Sequence, residues 1–212
     1  MKITKFGHSC LLVEEGAAHI LIDPGAFSKG FEGLTGLSAV LVTHQHEDHS
    51  TVETLAKVRQ NNPDVPIYGD EGTVRVMGEK AGLAVKPVHA GEEFEVAGVK
   101  VAIYGSYHAV IHPAIPGIEN VGYLIGGRLF HPGDNFTDPG VPVEILALPT
   151  GGPWMKVSEA IDYVMAIRPK IAIPIHDAVL SMPAMNSGIV ARFAQPQDIE
   201  VRVVENGTSI EV

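Results

Sequence analysis

Three apolar runs, "LSAVLVTH", "VEILALPT" and "KIAIPIHDA", do most to limit what this chain can become. Each has the length of a strand, is rich in branched aliphatic residues and carries no wet face, so other elements must bury it. Buried strands need covering layers, and segments with helical periodicity follow each of them. After "LSAVLVTH", Val52, Leu55 and Ala56 fall on one helical face, with Ser50 or Thr51 placed to cap its start. A second helix is expected within "DEGTVRVMGEKAG", stopped by Gly82. After "VEILALPT", Val157, Ala160, Ile161, Val164 and Met165 share a face, and Pro169 ends that helix at Arg168. A further helix opens at Pro183 and runs through residues 183 to 195.

The remaining sequence reads as shorter strands. "KITKFGHSCLLVEE" and "AAHILIDPG" form a pair joined by a turn around Glu15 and Gly16, and residues 85 to 131 hold several more, with "IGGR" as a tight hairpin signal. "EVRVVENGTSIEV" predicts a closing hairpin around its Asn-Gly pair. Four helices divided between the halves of a strand-rich chain point to an α/β fold, two sheets packed face to face with helices outside. A length of 212 residues, 45% hydrophobic and 19% charged, suits one domain spanning 1–212.

Composition narrows the chemistry. A formal charge of −10 opposes a phosphate backbone, because non-specific nucleic-acid affinity comes mainly from lysine and arginine. No apolar run approaches the roughly 20 residues of a membrane span, and Met1 leads straight into a strand-like segment, so a soluble, cytoplasmic protein is expected. Cys10 is the single cysteine: it excludes an internal disulfide and a thiolate zinc site, and its place among apolar neighbours reads as packing. Any metal has to be held by histidine and carboxylate.

Those residues sit where strands end. "VTHQHEDHS" packs His44, His46 and His49 with Asp48 just past a buried strand, and His108, Asp134 and His176 also follow apolar strands. Strand ends in shared layers can converge on one edge, which would gather the seven. His44 and His46 are two apart and can point to one side of an extended segment, while Asp48 and His49 can face a second point. That spacing suits two adjacent metals. As a solvated loop, so many imidazoles would repel one another once protonated and gain little without a cation.

Other histidines carry less weight. His19, His89 and His112 read as surface or satisfied core residues, and His131, three before Asp134, as a candidate support for a ligand. His8 in "FGHS" is either a substrate contact or proton donor, or part of a turn with Gly7; Asp23 is either a partner for a ligand histidine or a turn cap. The Thr150 to Trp154 loop is either a rim that touches substrate or an ordinary Gly-Gly-Pro turn.

"THQHEDHS" resembles the HxHxDH signature of the metallo-β-lactamase superfamily, with His108 in "YGSYHAV", Asp134 in "FHPGDN" and His176 in "IPIHDA" in the expected order. "KFGHSCLLVE", "ILIDPG" and "LPTGGPW" are similar to its small metal-dependent hydrolases, the branch of bacterial ascorbate-6-phosphate lactonase. The resemblance implies a four-layer αβ/βα sandwich with the site at one edge. It also implies His44, His46 and His108 on a first metal, Asp48, His49 and His176 on a second, and Asp134 between them. Two departures stand out: Asn135 where many relatives have threonine, and Ser50 where several thioesterase relatives have glycine.

The activity so implied is hydrolysis of a small ester, lactone or related carbonyl substrate by a hydroxide bridging two divalent ions, zinc first, manganese or iron otherwise. Asp48 would orient the nucleophile and His8 would assist. The same ligands would serve a phosphodiesterase or nuclease, or a metal-binding protein without turnover. The expected partner is a small-molecule substrate, with neither nucleic acid nor membrane, and no sequence feature sets an oligomeric state.

Overall fold

A computed structural model describes all residues from Met1 to Val212. Strands β1 (Lys2–Lys5), β2 (Leu11–Glu15), β3 (Ala18–Ile22), β4 (Ala39–Val42), β5 (Ile67–Gly69) and β6 (Lys86–Pro87) lie side by side in chain order. Strands β7 (Glu93–Val96), β8 (Val99–Tyr104), β9 (Gly122–Ile125), β10 (Leu129–His131), β11 (Ile145–Pro149), β12 (Ile171–Ile175) and β13 (Glu200–Val201) form the second sheet, also in chain order. Strand β14 (Ser209–Glu211) returns to the first sheet beside β1. Each sheet thus has seven strands, mixing antiparallel pairs with parallel ones.

Alternation along the strands builds three apolar layers. Ala39 and Leu41 of β4 and Ile145 and Ala147 of β11 face the cluster between the sheets. Val40 and Val42 point the other way, into a layer shared with Leu55, Val58 and Met77. Those three come from helices α1 (Val52–Asn61) and α2 (Glu71–Ala81). Leu146 and Leu148 meet Ala160, Val164 and Val190 from α3 (Val157–Ile167) and α4 (Pro183–Ala194). An apolar run without a polar face is therefore a strand with an apolar layer on both sides, and the molecule is a four-layer αββα sandwich.

Helix ends follow their local chemistry. Thr51 caps α1 through a capping box with Thr54, and α2 ends on Gly82 in the left-handed conformation glycine tolerates. The expected closing hairpin does not form. Asn206 and Gly207 do turn, but β13 pairs with β12 and β14 with β1, so the flanks belong to different sheets. Val204 between them is buried in the inter-sheet core. A local hairpin would have left both sheet edges unpaired.

The topology positions the site. Strands β3 and β4 run parallel, as do β10, β11 and β12. Strand β8 shares the direction of β10 because both are antiparallel to β9. All these C-terminal ends open toward one edge, and Asp23, His44, His108, Asp134, Thr150 and His176 follow them in sequence.

Candidate metal centre

The structure brings all seven sequence-derived ligands, and His8, into one cluster. Ligand atoms of His44, His46, His108 and Asp134 lie within 4.8 Å of one another, as do those of His8, Asp48, His49 and His176. Asp134 reaches both groups: its Oδ1 is 3.0 Å from His49 Nε2, and its Oδ2 is 2.8 Å from His176 Nε2 and 3.3 Å from His108 Nε2. Most of these residues are buried; His46 and Asp48 are half-buried.

Tautomers decide what such a cluster can hold. The Nδ1 of His176 donates to the Gly151 carbonyl and that of His108 to Ala109. The Nδ1 of His49 donates to Asp23 Oδ2 at 2.7 Å. Thr43 Oγ1 gives its proton to Asp23 Oδ2 and so accepts from His44 Nδ1 at 3.0 Å. In neutral rings the Nε2 atoms then carry bare lone pairs. Those of His49, His108 and His176, with Asp134 Oδ1, are buried without a hydrogen-bond partner. His44 Nε2 faces His46 Nδ1 at 3.1 Å. Lone pairs converging in a buried space repel unless a cation stands among them, and imidazole with carboxylate is a donor set for zinc, manganese or iron. The residues present fit the implied metals.

Protons are the other way to neutralise this charge. Burial pushes His8, His44 and His46 down, and His44 falls well below the ordinary histidine value. At His49 burial is outweighed by Asp134 and Asp23, which raise it well above that value. At His176 burial is outweighed by hydrogen bonds to Asp134 and Asp48, and it is lifted to about 9. Burial also opposes ionisation of Asp134, yet the charge of His49 and bonds from His108 and His176 hold it well below the carboxylate range.

His8 serves the cluster from behind. Its Nδ1 accepts from the Ala178 N–H at 3.3 Å, so Nε2 carries the proton and donates to Asp48 Oδ2 at 3.1 Å. It is at once in a turn, at φ 38°, and part of the cluster. Asp23 likewise combines both readings, sitting at φ 45° while holding His49 and Thr43. The Thr150 to Trp154 loop supplies the Gly151 carbonyl to His176 and the Trp154 indole N–H to Asp134 Oδ2 at 2.8 Å. His131 is outside both ligand groups but stands 4.0 Å from Asp23 Oδ2, donating to Ser9 O at 2.9 Å and accepting from Gly133 N. His19, His89 and His112 stand outside both groups. Of the two departures, Asn135 tethers the Tyr107 carbonyl next to His108, and Ser50 touches the His44 carbonyl at 3.4 Å.

Several supports have no sequence signal strong enough to single them out. Buried Asn120 accepts from the Asp134 backbone N–H at 2.9 Å and donates to Pro132 O. Gly25 runs so close to the ligand loop that a Cβ would overlap the Asp48 carbonyl group. Thr43, beside His44, is recognisable only by its place before the motif.

Comparison with known proteins agrees with this geometry. Residues 2–176 match the family described as beta-lactamase superfamily domain. Protein Rv0786c of Mycobacterium tuberculosis is 49% identical over 189 residues, 87% of each chain. The UPF0173 metal-dependent hydrolase MJ1163 of Methanocaldococcus jannaschii is 29% identical over 225 residues, 99% of this chain and 100% of that one. Among solved structures, the metallo-beta-lactamase fold protein YhfI from Bacillus subtilis superposes with a TM-score of 0.76 at 16% identity, covering 99% of this chain and 98% of that one. The fold is therefore the metallo-β-lactamase sandwich.

Proposed function

Because the chain belongs to the beta-lactamase superfamily domain family, we propose that it is a metal-dependent hydrolase holding two divalent ions. His44, His46 and His108 would hold one, and Asp48, His49 and His176 the other, with Asp134 shared. Bound there, the ions would supply Lewis acidity and a water of lowered pKa. Zinc suits neutral imidazole and carboxylate first, with manganese or iron as alternatives.

The protein's own groups do the aiming. Asp23, Thr43, Gly151 and Ala109 fix the ring orientation of four histidines through their Nδ1 atoms. Asp48 orients the attacking water, and the His8 proton, 3.1 Å from Asp48, is placed for relay toward the departing oxygen. The substrate we favour is a small ester, lactone or related carbonyl compound. A polynucleotide fits poorly with a net charge of −10.

The observation that carries this reading is the set of buried, partnerless nitrogens and carboxylate oxygen aimed at one another. The test is a panel of lactones, thioesters and bis-p-nitrophenyl phosphate, assayed with metal-loaded and chelated protein. His46→Ala and Asp134→Ala should each lose bound metal and turnover, the latter by at least a hundredfold. Full activity in either variant ends the mechanism.

A further inference from the structure

On the His46 and His108 side of the cluster, residues 109–113 and 115–118 line a partly open cavity of about 270 Å³. That is just under the roughly 300–1,000 Å³ of small-molecule sites. His46 and His108 belong to its wall, so it is contiguous with the donor atoms they share with His44 and Asp134. The rest of the wall is mostly Val110, Ile111, Pro113, Ile115, Pro116 and Ile118, with His112 as its one further polar side chain and no lysine, arginine or carboxylate. A second cavity, between Asp70, His89 and Glu119, touches none of the seven ligands.

Exposure points the same way. Val110 is 71% exposed and Ile115 51%, although both are branched aliphatic residues beside the most polar cluster in the molecule. Phe27, also exposed, stands edge-on to His8 with ring centroids 5.4 Å apart, and exposed Val179 follows His176 by three residues. An apolar side chain thus stands against His8 as well as beside His46 and His108. Apolar surface grouped at a pocket marks what the pocket binds. A phosphorylated substrate would find no lysine or arginine in that wall.

We propose that this cavity is an acyl subsite: it takes the short aliphatic or aromatic chain of a carboxylic ester or lactone whose carbonyl sits at the cluster. The inference rests on the hydrolase reading. In the reaction, water adds to the carbonyl carbon, the acyl C–O bond breaks, a proton passes to the departing alkoxide, and the product carboxylate keeps its chain in the subsite.

Since that product is a carboxylate, straight-chain carboxylates from acetate to decanoate probe the subsite without turnover. Calorimetric titration of the metal-loaded protein should show Kd falling about threefold to fourfold per methylene, as expected for burial of each CH₂, and levelling once the cavity is full. The kcat/KM of matching p-nitrophenyl esters should rise in step. Val110→Asp and Ile118→Asp should flatten the carboxylate series with metal content unchanged. Affinity indifferent to chain length, or tighter binding of phenyl phosphate than of octanoate, overturns the subsite. Chain-dependent binding without ester hydrolysis supports the subsite while ending the hydrolase reading.

Discussion

The Trp154 indole is the one neutral donor on the Asp134 carboxylate, at 2.8 Å, and its ring packs near those of His108 and His176. It therefore sets which way Asp134 faces the imidazoles. Trp154→Phe keeps an aromatic ring against Phe136 and removes the N–H. Metal affinity, measured by competition with a chelator, should weaken about 10- to 100-fold, the usual cost of losing a group that orients a ligand. Unchanged affinity would reduce Trp154 to packing. Backbone strain works at the same scale. His8, Asp23 and His176 all adopt left-handed conformations, with φ of 38°, 45° and 57°, which cost L-residues about 1–2 kcal/mol each. The bond from His176 N to His8 O, 3.0 Å, links two of them. Sequence alone leaves His8 and Asp23 open between turn and site, and the structure shows that the turn is what aims the side chain.

Among the elements, α2 carries a titrating cap. Asp70 accepts from the Thr73 N–H at 2.9 Å, while its other oxygen is buried without a partner. Burial raises its carboxyl to about 6, against 3.8 ordinarily. Below the unfolded value both states hold the proton and the group has no effect. Between about 4 and 6 the unfolded chain ionises and the folded one resists, so stability falls as pH rises, by about 2–3 kcal/mol in all. Asn caps equally well, so Asp70→Asn should be more stable than wild type at pH 7–8 and equal to it near pH 4 in urea unfolding. Parallel curves for the two proteins would refute this. All four helices were legible from apolar periodicity and caps, because those signals are local. The terminal hairpin was not, because the partners of β13 are 29 residues away in sequence and those of β14 205 to 209, and no local alternation records them.

For the whole molecule, the cluster joins two halves. His8, His44, His46, Asp48 and His49 come with the first sheet, and His108, Asp134 and His176 with the second. Cations bound there would hold the sheets together at one edge and stabilise only the folded state. A site at a hundred times its Kd contributes about 2.7 kcal/mol, so chelation should lower Tm by about 5–10 °C per site in a chain of this size. His46→Ala should blunt that response; a wild-type Tm indifferent to chelator would argue against bound structural charge. No helix is long and apolar enough to cross a membrane. What the sequence alone determined was the layered fold and the identity of the clustered imidazoles and carboxylates, because strand burial and residue spacing are short-range properties. Only the tertiary structure decided which lone pairs are bare, that Trp154 and Asn120 hold Asp134, and that an apolar cavity adjoins His46 and His108. Those facts depend on groups from distant segments meeting at one edge, and hydrogen-bond direction there follows from packing rather than from order along the chain.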